Sequence, residues 1–132
     1  MPRFESTSRP AVLVVDDDSL IRESLASLLR ATGCDVTECA NVDDALELTA
    51  SHRYALAVVD AHLQPAGTER SGLTLAARLA NDLSHKVENV MALSADKSPR
   101  MRSDCARYGL ELLAKSDGLP ALAKRLRAVL GL

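Results

Sequence analysis

Ala11-Val12-Leu13-Val14-Val15-Asp16-Asp17-Asp18 sets five apolar residues directly against three acids. An apolar run of that length, rich in valine and cut off by charge, reads as a strand buried on both faces. The pattern recurs along the chain. Asp60 closes Ala55-Leu56-Ala57-Val58-Val59, Ser94 ends Val90-Met91-Ala92-Leu93, and Lys115 ends Leu110-Glu111-Leu112-Leu113-Ala114. In a parallel sheet all strands run one way, so these polar residues would meet at one edge, where ligands of open α/β sheets bind. Three carboxylates, a hydroxyl and an ammonium gathered there suggest a metal-assisted site for one small anionic group.

Helical patterns fill the intervals. Ile21, Leu25, Leu28 and Leu29 share one helix face, with Asp18 or Ser19 as cap and Gly33 as stop. Asp35 to Cys39 reads as a short strand, and Asn41 caps a helix through about Ser51, with Asp44 adding charge near its positive end. After Leu56 to Val59 comes a loop, Ala61 to Ser71, rich in Gly, Pro and polar residues, then a helical period from Gly72 to Leu83. Ser98-Pro99 is a strong helix start. Asp117 is the expected cap of the last helix, whose apolar stripe is Leu119, Leu122, Leu126, Val129 and Leu130. Five strands alternating with five helices imply an α/β, doubly wound (βα)5 fold around a five-stranded parallel sheet. Right-handed crossovers then place helices on both faces.

A chain of 132 residues, 47% apolar, supports one domain with one core. The core must be Leu, Val and Ala, because the aromatics are only Phe4, Tyr54 and Tyr108. With no aromatic platform for stacking bases, single-stranded nucleic-acid binding is not expected, and with no recognition helix or second module DNA binding is not expected either. No apolar run approaches the ~20 residues of a membrane span, so no membrane contact is expected. Met1 to Pro10 lacks the apolar centre of a signal peptide and reads as a flexible tail before a domain at residues 11–131. Cys34, Cys39 and Cys105 are odd in number and form no C-x-x-C pair, which fits reduced thiols in a cytoplasmic protein. His52, His62 and His85 lack zinc-ligand spacing. Charge is uneven: residues 1–96 carry 8 basic and 15 acidic side chains, residues 97–132 carry 8 basic and 3 acidic.

Taken singly, each polar strand end has a plain structural reading. The acids at 16–18 suit a helix N-terminus, Asp60 suits a loop, and Lys115 suits a solvated surface. Ser94 has no capping duty, since Ser98 already supplies that cap. In register, Val14-Val15-Asp16-Asp17-Asp18, Val58-Val59-Asp60, Ala92-Leu93-Ser94-Ala95 and Leu112-Leu113-Ala114-Lys115 resemble the receiver (response-regulator) domain of two-component phosphorelay signalling. The likeness covers about residues 10–131 and implies the flavodoxin-like strand order 2-1-3-4-5.

Charges about 5 Å apart repel by ~3 kcal/mol per pair at an effective dielectric near 20. Three converging carboxylates therefore need a cation or a proton. Mg2+ suits them, since it takes one or two carboxylates and completes its shell with water and phosphoryl oxygens. The resemblance implies that Asp17 and Asp60 bind the metal directly, Asp16 through water, and His62 by its main-chain carbonyl. It further implies that Asp60 is the phosphoacceptor, that Lys115 pairs with a phosphoryl oxygen, and that Ser94 binds another and starts a switch. His62 and Asp96 occupy positions that tune self-dephosphorylation in the family.

The implied phosphodonor is a sensor histidine kinase or phosphotransfer protein, and the implied target is a downstream protein. Leu112, Met101 and Arg102 fall on the expected output face of the fourth helix, fifth strand and fifth helix. That face is also a candidate for homodimer formation. Three features depart from the family. Ser116 follows Lys115 where proline is usual, Leu112 replaces the switch aromatic, and the Asp60–Gly72 loop is longer, with Pro65 one residue late. Two other readings are a pseudo-receiver that works without phosphorylation and a phosphatase with an aspartyl nucleophile, for which His62 would be the acid.

Overall fold

The computed structural model describes residues 9–63, 71–82, 84 and 86–132. Residues 1–8 of the expected tail and the stretch 64–70, which includes Pro65, lie outside the described residues, as do Leu83 and His85. Five strands alternate with five helices: β1 (Ala11–Val15), α1 (Ser19–Ala31), β2 (Asp35–Cys39), α2 (Val42–Ser51), β3 (Leu56–Asp60), α3 (Ser71–Ala80), β4 (Val90–Ser94), α4 (Pro99–Arg107), β5 (Glu111–Ala114) and α5 (Leu119–Val129). The sheet is parallel throughout, in the order β2-β1-β3-β4-β5. This is the doubly wound (βα)5 architecture and strand order expected from the sequence.

Alternation along the strands builds two cores. Leu13, Val15, Ala57, Val59 and Ala92 pack with Ala45 of α2, Leu73 and Ala76 of α3, and Met101 and Cys105 of α4. On the other face Val12, Val14, Leu56, Val58, Leu93 and Leu113 meet Leu25, Ala26 and Leu29 of α1 and Leu122 and Leu126 of α5. Coverage on both faces explains why β1, and β3 as far as Asp60, are apolar without a break. Each fully buried Val or Leu contributes roughly 1.5–3 kcal/mol by leaving water.

Local signals set the helix starts. Asp18 caps α1, accepting from the amides of Leu20 and Ile21 at 3.0 and 3.3 Å, and Gly33 leaves the helix at φ +96°. Asn41 and Asp44 satisfy each other at the start of α2, through Asp44 N to Asn41 Oδ1 at 2.8 Å and Asn41 Nδ2 to Asp44 Oδ2 at 3.1 Å. Ser98 caps α4 by accepting from Met101 N at 3.2 Å, with Pro99 at the first helical position.

Two local expectations need correction. Asp117 does not cap α5: it ends a short 3-10 turn, Lys115–Asp117, and the cap position belongs to Gly118 at φ +92° with no side-chain bond. A glycine serves because the chain must leave that turn in a region hostile to a Cβ. Leu28 is 36% exposed, and Ala26 takes the core position. Leu28 instead lines a surface cleft with Leu119 and Pro120 of α5.

Candidate functional site

Asp16 follows the last residue of β1, and Asp60 ends β3, its neighbour in the sheet. Val15 pairs with Val59, so the two acids emerge side by side. With Asp17 they form a cluster in which one carboxylate oxygen from each lies within 4.8 Å of the others. Asp16 is 0% exposed and Asp60 4%. β4, ending in the buried Ser94, lies between β3 and β5. Lys115, the first residue past β5, reaches across to the acids, its Nζ 3.0 Å from Asp16 Oδ2 and 3.3 Å from Asp60 Oδ2. Asp16, Asp17, Asp60 and Lys115 thus meet at one edge, with Ser94 at the end of the strand between β3 and β5.

One turn geometry repeats at three strand ends. Asp16 Oδ1 accepts from Asp18 N at 2.9 Å, Asp60 Oδ1 from His62 N at 3.1 Å, and Ser94 Oγ from Asp96 N at 2.9 Å. Short polar side chains bond the backbone two residues on in this way at turns. Ser94 therefore has a structural duty that its sequence context does not reveal. Each buried acid commits Oδ1 to its own turn and directs Oδ2 toward Lys115.

Asp16 Oδ2 is buried and makes no hydrogen bond, although the Lys115 ammonium is at ion-pair distance. The charge is countered, but the lone pair is not engaged, which is costly for a buried acceptor. Burial, then the charge of Asp16, push the Asp60 carboxyl up from 3.8 to about 6, against the His62 amide and Lys115. Burial alone would lower the Lys115 ammonium, but pairing with Asp16 and the charge of Asp60 outweigh it and raise its pKa. A carboxylate held against its own charge beside an orphaned oxygen is what a small hard cation would relieve. The donor set fits Mg2+, which favours carboxylate oxygens and tolerates an incomplete protein shell.

The sequence marks Gly72 only as the start of a helix, yet it is a close-approach position. A Cβ there would overlap the Asp60 carbonyl oxygen and come within 2.7 Å of the Asp60 carbonyl carbon and 2.9 Å of that of Ala61. Leu73 N donates to the Ala61 carbonyl at 3.2 Å, so α3 is seated directly on the end of β3. A glycine ending a long polar loop is the available signal.

The expected output face is partly corrected. Arg102 is exposed, its Nε donating to the Lys97 carbonyl at 2.9 Å, and Leu112 is half-buried. Met101 is 0% exposed, with Cys105 Sγ 3.9 Å from its sulfur, and so is a core residue rather than a surface contact. The helical stripe of α4 points it at the sheet. A cleft of about 310 Å3 opens between Arg102, Cys105 and Leu112. A cleft of about 610 Å3 between α2 and α3 lies apart from the acids and is lined by Leu46, Arg78 and Lys86. Among the described residues no helix is long and apolar enough to cross a membrane.

Comparison with solved structures finds the same fold repeatedly. The chemotaxis response regulator CheY4 of Vibrio cholerae matches with a TM-score of 0.80 at 22% identity, over 92% of this chain and 99% of that one. A response regulator from Chloroflexus aurantiacus gives 0.81 at 24% identity, over 95% and 100%. A CheY-like receiver domain protein from Methanospirillum hungatei gives 0.75 at 20%, over 92% and 93%. No curated protein matched by sequence. The family model of the response regulator receiver domain matches residues 12–127, a span that runs from β1 into α5 and holds every strand end described above. The chain belongs to the response regulator receiver domain family of two-component systems.

Proposed function

We propose that this receiver domain accepts a phosphoryl group on Asp60 from the phosphohistidine of a sensor kinase or phosphotransfer protein, in a Mg2+-dependent reaction. The observation that carries this is the convergence of Asp16, Asp17 and Asp60 within 4.8 Å, with the Lys115 ammonium 3.3 Å from Asp60. Asp17, Asp60 and the main-chain carbonyl of His62 would hold the metal, with Asp16 through water. When bound, the metal offsets charge on the transferring group.

Asp60 supplies the nucleophilic oxygen. A P–O bond forms to its carboxylate as the P–N bond to the donor imidazole breaks, and the electron pair returns to that nitrogen. Lys115 keeps its charge because its pKa is raised, so it can pair with a phosphoryl oxygen. Ser94, fully buried at the adjacent strand end, offers its hydroxyl to another. Receiver domains undergo this chemistry once per signal and are not turnover enzymes in the usual sense. The altered surface around α4, β5 and α5 would then engage a downstream protein.

Acetyl phosphate with Mg2+ should add one phosphoryl mass to the intact chain. Asp60→Asn or a chelator should abolish the addition. Labelling of Asp60→Asn at the parent rate would overturn the assignment.

A further inference from the structure

Asp16 has a second constraint, on its backbone. Its amide donates to the Cys39 carbonyl at 3.1 Å, but β2 ends at Cys39, so no ladder amide follows to take up its own carbonyl. Arg22 does so, with Nη1 donating at 3.0 Å. Arg22 stands one turn beyond the Asp18 cap, and helical side chains lean toward the N-terminus, so its guanidinium folds back over the acid turn.

The guanidinium is itself pinned. Its Nε donates to Glu38 Oε1 on β2 at 3.3 Å, and its Nη2 lies 3.7 Å from Glu23 Oε2. The other oxygen of Glu38 accepts from Arg30 Nη1 at 3.0 Å, while Arg30 Nη2 bonds the Val36 carbonyl at 2.9 Å. The side chains of Arg22 and Glu38 are 16% and 22% exposed, well below an ordinary surface pair. Solvent-exposed pairs are worth little, but a largely buried guanidinium bonded to a backbone carbonyl through Nη1 and to a carboxylate through Nε is restricted in geometry.

We propose that Arg22 is a positioning residue: by holding the Asp16 carbonyl it fixes the Asp16–Asp17 peptide so that both carboxylates face Asp60, and so sets the affinity of the cluster for a divalent cation. The inference rests on the Mg2+-dependent reading above. Its physical basis is peptide planarity. The Asp16 carbonyl and the Asp17 amide share one rigid plane, so fixing the oxygen fixes the direction in which Asp17 leaves the strand.

The sign of the effect separates positioning from simple charge. Arg22 is a cation near the acids, so on charge alone its removal would tighten metal binding. Positioning demands the opposite. Outer partners that orient ligands typically carry about 10–100-fold in metal affinity.

The test titrates MgCl2 into the full chain by calorimetry, comparing the parent with Asp17→Asn, Arg22→Gln, Glu38→Gln and Arg125→Gln. Arg125→Gln breaks the surface pair with Glu111, whose bonds are both 2.6 Å, and is the control for losing an ion pair elsewhere. Arg22→Gln should weaken binding about tenfold. Glu38→Gln should act in the same direction by less, and Arg125→Gln not at all. In the metal-free protein the Asp17 and Asp18 amide resonances should move in Arg22→Gln, a readout that loss of stability alone would not shift. Parent-like or tighter binding by Arg22→Gln, or unmoved amides, overturns the proposal and leaves the metal reading standing. If Arg22→Gln does not fold, parent-like binding by Glu38→Gln overturns it instead. Identical behaviour of the parent and Asp17→Asn overturns the metal reading, and this inference with it.

Discussion

Asp60→Asn should make the metal-free protein more stable, although it destroys the proposed phosphoacceptor. Burial and Asp16 push the Asp60 carboxyl from 3.8 to about 6. A rise of about two pKa units, at 1.36 kcal/mol each, means that holding the ionised form in the fold costs roughly 3 kcal/mol at neutral pH. The substituted amide would carry no charge, keep an oxygen for the His62 amide, and present an NH2 to Asp16 Oδ2, which has no hydrogen bond now. The loss is one of two partners of Lys115, whose 3.0 Å contact with Asp16 remains. The net gain should be about 1–3 kcal/mol.

The pH dependence carries the sign. Between 3.8 and about 6 the folded state holds the Asp60 proton more tightly than the unfolded state does. Stability from this group is therefore present at low pH and lost as pH rises through that window. The advantage of Asp60→Asn should be full above pH 6 and mostly gone at pH 4. Urea denaturation followed by far-UV circular dichroism in chelator measures it, and suits a chain with no tryptophan. Adding Mg2+ should raise the parent and leave the variant nearly unchanged. A variant less stable than the parent at pH 7.5 in chelator, or a difference that does not vary with pH, would refute the reasoning.

Lys115→Met should do the reverse in chelator. It leaves two buried carboxylates without their cation, at a cost of about 3 kcal/mol, and Mg2+ should restore much of that in urea melts. Gly72→Ala should cost roughly 3 kcal/mol or more, because both the β3 end and the α3 start are backbone and neither can give way; a urea midpoint unchanged from the parent would contradict the seating of α3. Cys39 should resist iodoacetamide at pH 8 in the native protein, since burial, then Asp44, push its thiol to about 11. All three cysteines are buried, so alkylation counted by mass should appear only after urea is added.

The sequence revealed the strand ends because parallel topology turns a pattern along the chain into proximity in space. Asp16, Asp60, Ser94 and Lys115 each follow a buried run, and register alone brings those runs level. Contacts made by folding back across elements were not legible in that way. Arg22 reaches the Asp16 carbonyl from a helix, and Gly72 meets Asp60 across an intervening loop. Neither has a period or a spacing that announces it. Met101 and Leu28 were misplaced for a related reason. A helical period defines a stripe, but only packing against the sheet or α5 decides which edge of the stripe is covered. Asp117 lost its capping place to a 3-10 turn, which hydrophobic patterning does not encode.

With Leu112 in place of a ring, communication from the site to α4 should run through hydrogen bonds in the loop after β4. Asp96 N donates to Ser94 Oγ at 2.9 Å, Ser98 N donates to Asp96 Oδ1 at 2.8 Å, and Met101 N donates to Ser98 Oγ at 3.2 Å. Side chain and backbone alternate along this chain, from the buried hydroxyl to the first turn of α4. If Ser94 turns its hydroxyl toward a phosphoryl oxygen, its geometry as acceptor for Asp96 changes, and the next bonds must adjust. Met101 is buried in the core, so an adjustment passed to its amide would be carried into the rest of α4. Asp96→Ala removes the middle link without touching Ser94, Asp60 or Lys115. Beryllofluoride, a phosphoryl mimic, should alter amide exchange at 95–107 in the parent, and Asp96→Ala should shrink that change in 99–107 while leaving the change at Asp60 and Ala61. An undiminished response in 99–107 would show that α4 is reached by another route.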